Sequence, residues 1–213
     1  TLLKMVELKN YRKAYQDIVV IDMKEFMIRR GLVWIRGANG SGKSTLLKSI
    51  AGIIPFDGDI MLDGLSLKEN PVELRRRVTF SEAEPFFPEM LSGREIIDFV
   101  AGVREADQEA VKAVVEHFGA HIFYRQATGG YSTGMLKKIA LIMAFIGQPE
   151  LILLDEPFAF LDQETEEKLM HLILARREAG ISLMITSHHE IRSGQDQFDA
   201  VYHISGEHIL EVS

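Results

Sequence analysis

The sequence predicts an α/β fold with a parallel β-sheet core, an antiparallel β subdomain at the amino terminus, and a helical subdomain inserted in the core. Three observations predict it. Apolar or alternating segments open the chain, amphipathic helices occupy its middle, and buried-type strands flank a helix near its end. We expect a single domain over residues 1–213, with the helical subdomain at about 86–147.

The composition is that of a globular protein with a sizeable core. Of the 213 residues, 46% are hydrophobic and 26% are charged. The net charge of −7 argues against a nucleic-acid binder, which usually needs a basic face. The chain has no cysteine, which excludes disulfides, thiolate metal ligands and a cysteine nucleophile. The polar start lacks the pattern of a secretory signal, and no apolar run reaches about 18 residues, so we expect no membrane span.

The amino-terminal elements follow from periodicity and turn residues. Residues 43–52 predict a helix that stops at a glycine. Two Asp-Gly pairs, at Asp57 and Asp63, predict turns on either side of a short strand. Three further segments alternate or run apolar and predict strands: residues 4–10, 17–28 and 31–37.

The rest of the chain predicts the inserted helices and the parallel sheet. Ser92 and Glu95 have the spacing of a capping box at a helix start. Residues 107–119 and a segment starting near Ser132 predict two more helices. Further on, a strand, a helix and a strand predict parallel pairing, and the tail predicts a hairpin: residues 150–157, 162–180, 181–189 and 199–213.

A glycine-rich loop, GANGSGKS, matches the phosphate-loop pattern of a P-loop NTPase core. Its glycines let successive N–H groups point at phosphate oxygens. Lys43 adds a charge that reaches the β- and γ-phosphates, and Ser44 places a hydroxyl on Mg²⁺. This pair fits a triphosphate and its metal better than a dinucleotide. The predicted nucleotide-binding residues of the loop are Gly37, Ala38, Asn39, Gly40, Ser41, Gly42, Lys43, Ser44 and Thr45.

Two carboxylates follow the apolar segment LILL at the end of a predicted parallel strand. Ligands bind at the carboxyl ends of such strands. Asp155 is predicted to hold Mg²⁺, and Glu156 to act on the attacking water as a general base or to polarise it. The alternative is a strand-terminal turn with two solvated acids, which the phosphate loop upstream makes the weaker interpretation.

Five motifs in order give the chain a family resemblance over nearly its whole length: GANGSGKST, YSTGM, LILLDEP, AFLD and TSHH. The chain resembles the ATP-hydrolysing subunit of an ATP-binding cassette (ABC) transporter. The resemblance implies ATP and Mg²⁺ as ligands, and a second copy of the chain as partner in an ATP-dependent head-to-tail dimer. It also implies a separate integral membrane permease, a cytoplasmic location on the inner face of the membrane, and no nucleic-acid partner.

The segment YSTGM stands where this family carries the signature motif Leu-Ser-Gly-Gly-Gln. The resemblance implies that Ser132 and Gly134 contact the γ-phosphate held by the other copy. Tyr131, Thr133 and Met135 depart from the family pattern. The side chain of Thr133 must not block the approach of the backbone to phosphate. Ser132 is also predicted as a helix N-cap, which is compatible with the first role.

Two further residues gain roles from the resemblance. Asp162 in AFLD is expected at the dimer interface, and it is also predicted as the N-cap of the next helix. His188 in TSHH resembles the switch histidine that touches the γ-phosphate and belongs with the catalytic residues. The alternative for His188 is a solvated histidine at a strand end. The adjacent His189 fits the motif position less well.

An aromatic residue ahead of the phosphate loop is expected to stack on adenine. Tyr15 is the preferred candidate, and Tyr11 competes with it. Either ring has an alternative role in packing on the amino-terminal sheet.

The segment VTFSEAEPFFPEM departs most from the family, because a Mg²⁺-binding glutamine is missing and its position falls at Ala83. Glu82 or Glu84 is a candidate to supply a carboxylate oxygen instead, or coupling runs without that ligand. Three apolar side chains nearby either receive the permease or belong to the core: Phe86, Phe87 and Met90.

Two alternatives to a transport ATPase remain. A non-transport ABC ATPase of the translation or DNA-repair type usually carries two cassettes or a long coiled coil, and this sequence has one cassette and no heptad run. A regulatory cassette with a weak catalytic site is suggested by the altered signature and the missing glutamine. The presence of all four core residues argues against it: Lys43, Asp155, Glu156 and His188.

Overall fold

The computed structural model describes residues 4–187 and 197–212. Within these ranges the strands are β1 (Lys4–Tyr15), β2 (Ile18–Arg29), β3 (Leu32–Arg36), β4 (Asp57–Leu62), β5 (Leu65–Ser66), β6 (Val78–Ser81), β7 (Leu151–Leu154), β8 (Ser182–Ser187), β9 (Ala200–Ser205) and β10 (His208–Glu211). The α-helices are α1 (Lys43–Ile50), α2 (Pro71–Arg77), α3 (Gly93–Val103), α4 (Gln108–His117), α5 (Thr133–Phe145) and α6 (Gln163–Glu178).

These strands form two sheets, as the predicted fold class requires. The first has the order β2-β1-β4-β5 and is antiparallel throughout. The second has the order β10-β9-β3-β8-β7-β6 and is parallel except for the final β9–β10 hairpin. The predicted fold class is therefore confirmed: a parallel core sheet with an antiparallel amino-terminal sheet.

The parallel sheet is covered on both faces, which explains its continuously apolar strands. In β7 the side chains of Ile152 and Leu154 join a hydrophobic cluster with helices α3 to α6. Leu151 and Leu153 point to the opposite face and join a cluster with α1 and the antiparallel sheet. Both faces of the strand are thus buried, so polar side chains are confined to its end.

Helices α3, α4 and α5 lie between β6 and β7 in the chain, each with a side-chain N-cap. The predicted capping box is confirmed, because Ser92 Oγ accepts from the Glu95 N–H and the Glu95 carboxylate accepts from the Ser92 N–H. This hydrogen bonding lowers the pKa of Glu95. No helix in the described ranges has the length and apolar character to cross a bilayer.

One predicted turn is wrong. Asp57 and Gly58 lie inside β4, where the register between β1 and β4 shifts. A Cβ on Gly58 would lie 2.2 Å from Asn10 O, so this glycine serves the close approach of two strands at a bulge. The second turn is confirmed, because Asp63 and Gly64 link β4 to β5 with φ values of 48° and 82°.

Candidate active site

The phosphate loop connects β3 to α1 at the carboxyl end of the parallel sheet. Gly42 is the N-cap of α1 with φ 103°, in the left-handed region that favours glycine. A Cβ at Gly42 would also lie 2.7 Å from Val20 Cγ1 of the antiparallel sheet. A glycine at this point therefore serves both the turn into α1 and the close packing of the phosphate loop against the antiparallel sheet.

Lys43 is held inside the loop with only 6% of its surface exposed. Its ammonium donates to Gly37 O at 2.9 Å and to Ala38 O at 3.1 Å, and lies 4.0 Å from Glu156 Oε1. Ser41 Oγ is buried in the same loop and has no hydrogen-bond partner among the described residues. A phosphate oxygen is a suitable acceptor for both groups.

Asp155 and Glu156 leave the end of β7 in a fixed arrangement. Thr186 Oγ1 of β8 donates to Asp155 Oδ1 at 2.6 Å and accepts from the Glu156 N–H at 2.9 Å. Asp155 is 1% exposed, and its N–H donates to Ser81 O at the end of β6. Glu156 adopts φ 43°, which turns the chain directly after the strand. Thr186 is the first residue of the TSHH motif, but that motif predicts a role for His188 and not the contacts of Thr186 with Asp155 and Glu156.

Lys137 on α5 is a second buried cation at this edge of the sheet, with no measurable exposure. Its ammonium donates to three main-chain oxygens, those of Glu82, Ala83 and Asp155. Burial lowers the pKa of Lys137 to about 8, and the nearby carboxylates oppose that shift. The sequence offers only a lysine within an apolar helix as a signal for this contact.

The residues at this edge fit a Mg²⁺ ion that is coordinated jointly by the protein and a nucleotide. The described ranges contain no cluster of three or more His, Asp or Glu side chains suited to a metal held by protein alone. Mg²⁺ usually takes one or two protein ligands and completes its shell with phosphates and water. The Ser44 hydroxyl at the start of α1 and the Asp155 carboxylate supply that kind of donor set.

The segment YSTGM forms the entry to α5. Ser132 is exposed and is the N-cap of the helix, its Oγ accepting from Met135 N–H at 3.3 Å. The predicted N-cap is therefore confirmed. Thr133 is exposed at the first helical position. Because the Thr133 side chain is part of the exposed surface beside Ser132, a partner that binds this helix end would contact it.

Tyr131 has a structural role that leucine could not fill. Its hydroxyl accepts from the Gly93 N–H at 3.2 Å and lies within hydrogen-bond distance of Phe123 O and Gln126 O. Its ring contacts the Phe123 ring edge to face. Tyr131 thus ties the start of α5 to the start of α3.

The loop between β7 and α6 packs against the start of α5. A Cβ on Gly134 would lie 2.9 Å from Phe160 O, so this position leaves little room for a side chain. Asp162 is the N-cap of α6, as predicted, and the Thr165 N–H lowers the pKa of its carboxyl. Lys138 of α5 lies 3.8 Å from the same carboxylate.

The two candidate tyrosines differ sharply. Tyr11 is fully buried, its hydroxyl pairs with Ser49 Oγ at 2.8 Å, and burial raises its pKa to about 12. Tyr15 at the end of β1 is 48% exposed, with Lys13 Nζ 4.6 Å from its ring centroid. Tyr15 therefore has an accessible ring and Tyr11 does not. His188 and His189 lie outside the described residues.

The segment after β6 carries no glutamine. Its main chain accepts hydrogen bonds from Lys137 of α5. The Glu82 carboxylate pairs with Lys48 of α1, while Glu84 is exposed. Of the three apolar side chains in question, Phe87 packs against the core. Phe86 and Met90 are 81% and 86% exposed.

A phosphate-binding loop at the carboxyl edge of a parallel sheet places the chain among the P-loop nucleotide-binding proteins. Within that class, residues 23–159 match the family model described as ABC transporter, and the chain belongs to that family. The resemblance found in the sequence is confirmed, and with it the expectation of an ATP-binding, ATP-hydrolysing transport subunit.

Similar proteins carry related names. The chain is 30% identical over 202 residues to the manganese transport system ATP-binding protein MntB of Bacillus subtilis, covering 91% of this chain and 80% of the relative. It is 33% identical over 172 residues to the aliphatic sulfonates import ATP-binding protein SsuB 2 of Burkholderia cenocepacia, covering 80% and 62%. The bacitracin transport ATP-binding protein BcrA of Enterococcus faecalis is 30% identical over 188 residues, covering 86% and 61%. The chain thus spans about three fifths of the length of the last two.

Two solved structures share the fold. One is described as the ATP-binding subunit of an ABC transporter, with TM-score 0.88 and 22% identity, covering 98% of this chain and 90% of that chain. The other is a putative ABC transporter ATP-binding protein from Pyrococcus furiosus, with TM-score 0.75 and 21% identity, covering 93% and 96%. At these identities the likeness supports the fold.

Proposed function

We propose that this chain binds ATP together with Mg²⁺, pairs head to tail with a second copy, and drives transport through a separate membrane permease. The observation that carries the proposal is the Thr186 hydroxyl, which bonds both Asp155 and Glu156 beside the ammonium of Lys43. A charged loop and two oriented acids at one edge are what phosphoryl transfer to water requires.

The residues divide the chemical work. Lys43 and the loop N–H groups bind the phosphates and stabilise the charge that develops on them. Mg²⁺, held by Ser44 and Asp155, would neutralise phosphate charge when bound. Glu156 orients the attacking water and accepts its proton, since its carboxylate lies 4.0 Å from the Lys43 ammonium. His188, the next residue in the sequence after β8, is proposed to contact the γ-phosphate.

The proposed dimer completes the site from the other side. Ser132 is exposed at the amino terminus of α5, where helix N–H groups favour an anion. In the proposed pairing, Ser132 and Gly134 of one copy cover the γ-phosphate bound by the other, with Asp162 at the interface. Hydrolysis then weakens this contact and the pair opens.

The proposed permease contact lies on the helical side of the molecule. Phe86 and Met90 are exposed apolar side chains in the segment between β6 and α3. They support a partner contact where they belong to one contiguous apolar patch, since such patches mark interaction surfaces. The relatives are named for manganese, sulfonates and bacitracin, which agrees with cargo choice by the membrane subunit.

The decisive experiment compares wild-type chain with Glu156→Gln in nucleotide binding and steady-state ATP hydrolysis. We expect Glu156→Gln to bind ATP normally, to hydrolyse it at least ~100-fold more slowly, and to accumulate as an ATP-bound dimer. Wild-type turnover by this variant would contradict the base assignment. A monomer at saturating ATP would contradict the pairing, and copurification with ribosomes or DNA would favour a non-transport ATPase.

A regulatory cassette with a weak site is the second candidate, and Ala83 supports it because no glutamine side chain is present there. The two proposals predict different rates. Hydrolysis that stays near the buffer background, both alone and with a copurified permease, would establish the regulatory role.

A further inference from the structure

Lys137 is a fully buried lysine with every ammonium donor in use. It lies in the second turn of α5, and none of its surface is exposed. Its Nζ lies 2.8 Å from Glu82 O, 3.1 Å from Ala83 O and 3.0 Å from Asp155 O. An ammonium group has three donors and no acceptor, so three carbonyls satisfy it completely.

The three acceptors lie just beyond the ends of two neighbouring strands. Glu82 and Ala83 follow β6, Asp155 follows β7, and the two strands pair in parallel. The ammonium therefore bridges the main chain where these strands separate. Glu156 is the next residue after the bonded carbonyl, so the placement of its backbone depends on the same contact.

The same side chain connects this edge to the start of α5. Ser132 caps the helix five residues before Lys137, so the cap and the buried ammonium belong to one rigid element. The segment after β6 is held from the other side by the ion pair of Glu82 with Lys48 on α1. The segment after β6 is thus held through its main chain by Lys137 and through the Glu82 side chain by Lys48.

An apolar side chain would be less costly to bury at this position, because removing an ammonium from water is unfavourable even when it is paired. A contribution to stability alone therefore does not account for a lysine here. We propose that Lys137 is a positioning residue for ATP hydrolysis, holding the ends of β6 and β7 in the geometry that Asp155 and Glu156 require. The inference rests on the proposed function.

The test replaces the ammonium with an apolar group of similar length, in Lys137→Met. We expect Lys137→Met to bind ATP with a dissociation constant within about twofold of wild type. We expect its kcat to fall at least tenfold with little change in KM, because the loss affects the transition state and not substrate binding. Hydrogen exchange in peptides covering 82–85 and 154–157 should become faster.

Arg176→Met is the matched control. Arg176 is a partly buried cation that donates to Phe145 O at the opposite end of α5, away from the loop. We expect Arg176→Met to lower the melting temperature and to leave kcat per folded molecule unchanged. An equal fall in kcat in both variants, or no fall in folded Lys137→Met, would overturn the inference.

A second variant covers the case in which Lys137→Met does not fold. Lys137→Arg keeps the charge, but the donors of a guanidinium lie in one plane on three nitrogens and do not diverge from one atom as those of an ammonium do. We expect it to fold and to lose kcat several-fold at constant KM; wild-type kcat here would also overturn the inference. Lys43→Ala measured in parallel separates the two proposals. If Lys43→Ala keeps wild-type hydrolysis, the proposed function fails. If Lys43→Ala is inactive while the Lys137 variants keep wild-type hydrolysis, only the role of Lys137 fails.

Discussion

The phosphate-loop edge and the start of α5 are built in opposite ways. At the loop edge, Lys43 and Asp155 are almost completely buried, and their polar atoms bond to main chain or to Thr186. At the start of α5, Ser132 and Thr133 are exposed, and the Ser132 hydroxyl makes the local N-cap hydrogen bond.

The difference teaches which half of the proposed site is complete within one chain. Buried charges are held only where surrounding groups fix them, so the loop edge is preorganised for phosphate before ligand arrives. The helix start offers N–H groups and a hydroxyl on an accessible surface, which suits a ligand brought by another copy. Changes at the first should therefore act within one chain, and changes at the second across two chains.

The largest effect is expected for Lys43→Ala, which removes the buried ammonium of the loop. Since this charge stabilises the phosphates directly, kcat/KM for ATP should fall by ~10³-fold or more. Steady-state hydrolysis and nucleotide binding measure it. Lys168→Ala on the exposed face of α6 is the control and should keep wild-type kinetics.

Next comes Thr186→Val, which keeps the shape and removes the shared hydroxyl. Asp155 then loses a buried donor and Glu156 N–H an acceptor, so we expect a loss of about 1–3 kcal/mol in stability and slower hydrolysis. Denaturant unfolding and kcat measure the two effects. Thr186→Ser retains the hydroxyl and should stay close to wild type; equal losses in both variants would contradict this role.

An effect of intermediate size is expected when two inactive variants are mixed, which tests whether the two regions act across two chains. Ser132→Ala and Lys43→Ala chains should each be poorly active alone. Mixed in equal amounts, they should regain about a quarter of wild-type activity, because half of the dimers are mixed and each contains one intact site. No recovery would place Ser132 and Lys43 in the same copy, against the proposed pairing.

The smallest effect is expected for Tyr131→Phe, which removes a hydroxyl that orders the start of α5 from outside the site. We expect about 1 kcal/mol of lost stability and nearly unchanged ATP binding. Thermal unfolding measures it. A large fall in ATP binding would show that the start of α5 acts within its own chain.

The sequence predicted the elements whose signals are local. The spacing of glycines before Lys43, the capping box at Ser92 and the apolar run before Asp155 each carry their meaning within a few residues. The turn expected at Gly58 was wrong because a partner strand, distant in sequence, determines the conformation there. Local propensity gives way to tertiary contacts in such cases.

Local sequence does not reveal the partners of the residues that support the site, although Thr186 itself lies in the TSHH motif. Thr186 meets Asp155 across 31 residues, and Lys137 meets Glu82 across 55 residues. Each is an ordinary residue type whose role follows only from the strand order β8-β7-β6 and the docking of α5. The choice between Tyr11 and Tyr15 likewise needed burial, which two aromatics four residues apart on one strand do not reveal.

The exposed ring of Tyr15, which we propose stacks on the nucleotide base, has a consequence for nucleotide selectivity. A flat aromatic face beside a lysine attracts any purine, because every base offers a π surface and stacking reads no hydrogen-bond pattern. The proposed site therefore discriminates strongly by phosphate number and weakly by base. Guanosine triphosphate should compete with ATP for binding to this site. The cellular concentrations of the two nucleotides would then determine which one is hydrolysed.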